Sequence, residues 1–522
     1  MFKRIISFIL TLALSFSAIN ALFAVKTSAE DVTGTDIPLI YLGGQGQIIS
    51  VNENGNLRNI YPVSIPDGFI ESAVSENIGV FMKAVITQEW EDFGSVVHDL
   101  LYQLYHELAL DEYGNPINNS FCLRSRTENS DIDGSKVNGK FPTSKFTFYY
   151  DWRLDPYKIA QQLHSYIQRV MKITGYDRVA LSGRCLGACI ISAYMDKYDG
   201  EYVSDMILYC SALNGSTIIS KMYAGDAYLD PDGIERFVYD LNLSADEITN
   251  QLIQSFVSVA NETYGLDLLC SAFNNVIEDI YLDIFPQVLI DTMGTWPGFW
   301  SMVSDADYQR AKDTVFHNAD MTKYAPFIKI IDDYHYNVQV KAPENFKKYI
   351  QRGIEIANIT KFGYQTIPAT HDADMISDAL CSVSDASMGA TTATLKTTLS
   401  DSYLSSARQN GNDRYISPDK KIDASTCLLP DRTWFIGNLQ HKNFPEIIDR
   451  VIDEIINTDN LTVETSRFPQ FMQYIDGALI PMTSENMTVT QEKYTHSFWD
   501  SLKTFFSSLF KILFKSFDKK ET

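Results

Sequence analysis

One cysteine in this 522-residue chain stands where a nucleophile would. Residues 179–188 read V-A-L-S-G-R-C-L-G-A, a short apolar strand that passes through Gly183, Cys185 and Gly187 straight into an apolar helix. A side chain at the tip of such a strand-to-helix turn sits on strained backbone, and the positions two before and two after it have no room for a Cβ. Glycine occupies both. The turn also leaves the N–H of Leu186, at the helix start, without an intrahelical acceptor, so it can hydrogen-bond an oxyanion. In this reading Cys185 attacks a carbonyl carbon, Gly183 and Gly187 form the elbow, and Leu186 supplies half of an oxyanion hole. A lone G-x-C-x-G also arises by chance in a chain of this length, with the following helix as plain core, so partners and framework must be found.

A thiol with an ordinary pKa of about 8.5 needs a base to be fully active at neutral pH. Of eight histidines, His98, His106 and His164 fall in helical stretches before the elbow, His317 and His335 in a helical region after it, His371 in a loop and His496 near the tail. His441 follows the apolar run 434–436 and precedes a helix starting near Pro445. That is the last strand-to-helix loop, the place for a histidine base. Asp419 or Asp423, in I-S-P-D-K-K-I-D, is expected to hold its tautomer, with Asp413 nearby. The second oxyanion donor is expected at Gly44 or Gln45, in the Gly43-Gly44-Gln45-Gly46 loop after the strand at 37–42, because bare backbone approaches a substrate closely. No Lys-Ser or Lys-Thr follows that loop, so it is not a phosphate cradle.

The elements that must position these groups alternate. Strands are predicted at 37–42, 146–150, 179–181 and 206–212, and helices at 90–110, 156–173 and 185–198. Such alternation gives a doubly wound, mostly parallel α/β sheet with helices on both faces and chemistry at the carboxyl ends of its strands. Residues 30–215 form the first part of this core. Residues 216–344 break the pattern: they are helical, acidic and aromatic, contain W-P-G-F-W at 296–300, and read as an inserted helical cap. The core resumes over 345–462, with strands at 354–359 and 434–436, and 463–497 reads as a linker.

The ends and composition set the surroundings. Residues 1–29 run from Met-Phe-Lys-Arg through an apolar stretch at 5–18 to small residues at Thr27 and Ala29, the order of a secretory signal peptide, so the protein is expected to be secreted. The formal charge of −23 argues against a nucleic-acid partner. Residues 498–522 place Trp499, Leu502, Phe506, Leu509, Leu513 and Phe517 at helical spacing among Lys503, Lys511, Lys515, Lys519 and Lys520. This basic amphipathic helix suits a membrane surface, or docking on the body of the protein. The seven cysteines are irregularly spaced, so they form no disulfide framework, and the chain has no C-x-x-C or H-E-x-x-H. No metal and no cofactor are expected.

Y-D-W-R-L-D-P at 150–156, followed by a helix, a strand and the elbow, resembles the lecithin:cholesterol acyltransferase family, whose members carry Y-D-W-R-L-x-P just before G-x-S-x-G. W-P-G-F-W resembles that family's tryptophan-proline segment, and P-D-K-K-I-D its D-G-x-V loop. The likeness runs over residues 36–456 in element order. It implies an α/β-hydrolase fold, a Cys185–Asp419–His441 triad, and ester hydrolysis or acyl transfer on lipid-like substrates. Cysteine stands here for the family's serine and Lys420 for its glycine. The competing expectation is a catalytically inactive hydrolase fold that binds lipid or a surface.

Overall fold

The computed structural model describes residues 34–43, 46–52, 54–64, 69–87, 89–241, 247–486, 497 and 499–508. The expected signal peptide, Gly44, Gln45 and residues 509–522 lie outside them. Eight strands build the central sheet: β1 (Leu39–Leu42), β2 (Phe146–Thr147), β3 (Val179–Arg184), β4 (Val203–Tyr209), β5 (Glu355–Phe362), β6 (Thr433–Gly437), β7 (Phe471–Ile475) and β8 (Ala478–Pro481). Their spatial order is β2-β1-β3-β4-β5-β6-β7-β8, parallel throughout except for the β7–β8 hairpin. The central strands β3, β4 and β5 are buried almost throughout, as strands covered on both faces must be.

Successive residues of a strand face opposite sides, and two sets of helices cover them. On one side α1 (Pro156–Thr174) and α2 (Leu186–Tyr198) pack with Ile40, Leu42 and Leu181. The chain enters α1 through a cap, the Asp155 carboxylate accepting the Tyr157 N–H at 2.9 Å with Pro156 at the first helical position, and leaves it at Gly175 with φ 76°. On the other side α3 (Ile447–Asn457) lays Ile448, Val451, Ile452 and Ile455 on Leu39, Ala180, Ile207, Ile359 and Ile436.

Residues 471–481 are not linker but the last two strands. Phe471 and Met472 are buried, and Asp476-Gly477 makes the two-residue turn with positive φ at both positions, 48° and 85°. Asp-Gly is the signal for such a hairpin, and the strands F-M-Q-Y-I and A-L-I-P are too short, within a polar stretch, for alternation to show. Residues 217–241 and 247–351 form a largely helical region. Its W-P-G-F-W aromatics are core: Trp296, Phe299 and Trp300 are buried in the same apolar cluster as Ile40 and Leu181. Trp296 stands edge-on to Trp152 at 5.1 Å, and the Gly298 N–H donates to Arg153 O at 3.1 Å. A Cβ on Gly298 would run into Trp152 O. Thus the Y-D-W-R-L-D-P and W-P-G-F-W segments meet.

Residues 499–508 are helical, with Ser501 Oγ 3.0 Å from Ser258 Oγ and the Phe505 ring 6.0 Å from Phe256. Trp499 is 73% exposed and Phe506 48%. Among the described residues no helix is long and apolar enough to cross a membrane.

Within this joint, Arg153 is fully buried and chelates Asp151 through Nε at 2.9 Å and Nη2 at 2.7 Å, with further bonds to Leu108 O and Ser120 Oγ. Asp151→Ala leaves that guanidinium without its carboxylate and should destabilise the fold by about 3–5 kcal/mol. A lower urea midpoint at unchanged slope is the expected result; an unchanged midpoint would mean the pair carries no stability.

Candidate functional site

The sheet order reverses between β1 and β3, so the loops leaving these two strands diverge and open a crevice at their carboxyl ends. Cys185 sits there, with φ 52° and ψ −120°, a conformation that costs about 1–3 kcal/mol for a residue with a side chain. Its N–H donates to Tyr209 O at 3.0 Å and its carbonyl accepts the Ala188 N–H at 3.0 Å, which pins the turn from both sides. A Cβ on Gly183 would lie 2.6 Å from the Gly187 carbonyl, and one on Gly187 would strike Leu42 O. Both glycines are therefore required by contact, as the elbow pattern predicts. Leu186 is the first residue of α2, its N–H beside the cysteine.

His441 lies in the loop after β6 and is fully buried. Its acid is Asp378. The Asp378 carboxylate meets His441 Nδ1 through Oδ2 at 2.7 Å, and the His441 N–H donates to Asp378 O at 2.6 Å. Oδ1 accepts the N–H groups of Leu380 at 3.1 Å and Cys381 at 2.9 Å, so the carboxylate cannot swing away. The Cys185 thiol is coupled electrostatically to the His441 ring and to the Cys381 thiol.

The expectation of Asp419 is thereby corrected. Asp419 closes a local turn, accepting from Ser417 Oγ at 2.6 Å and the Lys421 N–H at 3.2 Å. Asp423 accepts from Tyr403 OH at 2.9 Å and caps Ser425, so neither is the partner of His441. Asp378 was missed because no motif surrounds it. The signal available was position: β5 and β6 are neighbours, so the loop after β5 lies beside the loop that carries His441.

Lys361 organises that second loop. It is fully buried on β5, and its Nζ donates to the carbonyls of Gln440, His441 and Asn443, each at 2.9 Å. The ammonium and the Arg184 guanidinium both rest on the Phe444 ring, at 4.1 and 3.6 Å.

Charge is arranged along the line Asp378–His441–Cys185. The Cys381 thiol pulls the Cys185 thiol down, burial opposes it, and the His441 charge helps, leaving it well below its ordinary value. Burial depresses His441, but the charges of Asp378 and Cys185 outweigh it and hold the imidazole above its ordinary value. Burial raises Asp378, yet His441, Lys361 and the Cys381 N–H together keep it low. Each of these three shifts favours the charged form of its group.

The ligand atoms of Cys210, Asp378 and His441 lie within 4.8 Å of one another. They do not suit a metal ion. Nδ1 and Oδ2 are joined to each other, Oδ1 is spent on two N–H groups, burial keeps Cys210 protonated, and the Lys361 ammonium lies close to Cys210 and Asp378.

Cys185 is 3% exposed, and an open cavity of about 420 Å³ lined by Cys122, Arg126, Asp151 and Arg169 does not include it. No protein-family model matches the chain, and no curated protein matches it in sequence.

Because the thiol is held low, alkylation of Cys185 by iodoacetamide should persist well below pH of about 8.5, where an ordinary thiol protonates. Asp378→Asn removes the charge that holds the imidazolium, so the thiolate is lost at a higher pH and the alkylation midpoint should rise. Equal midpoints in both proteins would rule out the pair. Lys361→Met should speed amide exchange at residues 440–443 and lower kcat for any ester turned over, with little change in KM.

Proposed function

We propose that this chain is a secreted enzyme of the α/β-hydrolase type. It takes the acyl group of a lipid-like ester onto Cys185 as a thioester and passes it to water or to an acceptor hydroxyl. The observation that carries this reading is the line Cys185–His441–Asp378 at the reversal of the sheet order. The chain order nucleophile, acid, histidine and the glycine loop after β1 support it, since both belong to that fold.

In the first half-reaction the thiolate attacks the carbonyl carbon and the carbonyl π pair moves to oxygen. The Leu186 N–H, with a donor from Gly44 or Gln45, stabilises the oxyanion. The imidazolium of His441 then protonates the leaving alkoxide, and the C–O bond breaks. In the second, neutral His441 removes a proton from water or an acceptor hydroxyl, whose oxygen attacks the thioester and releases the Cys185 thiolate. Asp378 fixes the ring through Nδ1 and stabilises its charged form. Trp499 and Phe506, exposed on the C-terminal helix, would meet a lipid surface beside this activity.

Intact mass after exposure to p-nitrophenyl esters of graded chain length tests the proposal. An acyl adduct that is absent in Cys185→Ala, with turnover at least about a hundredfold lower in His441→Ala, is expected, since general acid–base catalysis contributes about 10²–10⁴-fold. Neither adduct nor turnover with any chain length would shift the reading to a hydrolase fold that only binds.

A further inference from the structure

Two arginines of this acidic chain have no acid to face. The formal charge is −23, and guanidiniums such as those of Arg58, Arg124, Arg236 and Arg432 stand against carboxylates. Arg126 and Arg169 form no ion pair among the described residues, and both line the open cavity of about 420 Å³, whose wall comes largely from residues 116–129 and from α1. The Arg126 guanidinium carbon sits 3.3 Å from the centre of the Phe121 ring, so an aromatic face holds it in place of an acid. Arg169 donates through Nη1 to Asn129 O at 2.6 Å, and the Asn129 side chain is clamped to Tyr149, giving to its carbonyl at 2.7 Å and taking its N–H at 2.9 Å. Both cations are thus positioned with N–H groups to spare. Ser120, 6% exposed, adds a donor: its Oγ accepts from Arg153 Nη2 at 3.1 Å, and its own proton has no acceptor among the described residues. Asp151 is the one acid of this wall, and Arg153 chelates it, so the charges of Arg126 and Arg169 are left unbalanced. Much of the remaining wall is apolar or aromatic, from Phe121, Phe148, Leu154 and Tyr166.

We propose that this cavity binds an amphiphilic anion, an apolar chain ending in a carboxylate or a phosphate. The two guanidiniums take the head through charge-assisted hydrogen bonds, and the chain covers the aromatic wall. An inorganic anion would leave that wall wet, and a neutral chain would leave the cations without a counter-charge. The volume falls within the range of about 300–1,000 Å³ usual for small-molecule sites. The cavity does not include Cys185, but it adjoins the chain that leaves the Gly43–Gly46 loop. Cys122 is part of its wall, and a Cβ on Gly46 would lie 2.6 Å from the Cys122 sulfur. Cys122 also pairs with Ile48, and the Leu123 N–H donates to Gln47 O at 3.0 Å. An anion seated against residues 120–126 therefore braces residues 46–49 as well. That this bracing bears on ester turnover rests on the acyl-transfer reading; the binding itself does not.

The test titrates the purified full chain by calorimetry with octanoate, octyl phosphate, octanol and acetate, and follows amide exchange with octanoate or octyl phosphate bound. Saturable binding of octanoate or octyl phosphate is expected, the tighter of the two identifying the head group, with octanol and acetate each weaker by about tenfold or more. Arg126→Gln and Arg169→Gln should each weaken binding about tenfold, Cys185→Ala should leave it unchanged, and exchange should slow at residues 121–123 and 47–49. No saturable binding, octanol binding as tightly as the anions, or affinity that survives both arginine substitutions overturns the proposal. Should either substituted chain fail to fold, the exchange map of the wild type decides, and protection that spares 121–123 overturns it too. Binding through Arg126 and Arg169 in a protein that turns over no ester leaves this site standing and removes the catalytic reading. Ester turnover without such binding does the reverse.

Discussion

Everything in the site depends on a backbone that would rather not be where it is. Cys185 holds a positive φ only because the chain on both sides is fixed: its N–H is tied to β4, and Gly183 and Gly187 are pressed together and against Leu42 so closely that no other residue fits. The sheet provides the force for this. β3 pairs with β1 over residues 180–183 and with β4 along its whole length, and ends in a helix that is itself core, so the strain of one residue is spread over an apolar cluster that would be lost if the turn relaxed.

The rest of the site is held by buried charge. Asp378, His441, Lys361 and Arg184 are removed from water within one end of the sheet, and each buried cation has a specific electron-rich partner: carbonyls for Lys361 and an aromatic face for both. Such groups are expensive to bury and costly to leave unpaired, so the loops after β5 and β6 have few alternative conformations. Position, more than the identity of the three reacting side chains, is what these contacts supply.

The parts of this arrangement that depend on local spacing were legible in the sequence. The elbow needs glycines at fixed offsets, the strands need apolar runs, and the histidine follows the last strand of the alternating pattern. Cys185, Gly183, Gly187, Leu186 and His441 were all named on that basis, and the structure brings Cys185 and His441 together. Asp378 depends instead on which strands are neighbours. Residues 378 and 441 are far apart in the chain, and nothing local distinguishes Asp378 from Asp419, whose turn-forming surroundings looked more like a motif. Strands β7 and β8 escaped because they are only five and four residues long within a polar stretch, leaving the Asp476-Gly477 turn as the clearest mark.

The joint between Trp152 and the 296–300 segment bears on how this molecule can be altered. Although residues 216–344 interrupt the alternating pattern like a detachable module, their aromatics and the sheet's own helices share one continuous interior. Excising the interruption would not uncover a smaller, intact scaffold. It would strip Trp152 and its neighbours of their packing and leave the Asp151–Arg153 pair at a raw surface. Shortening or grafting in this chain is better sought in the outer helices of the insertion than at the points where it leaves and rejoins the sheet.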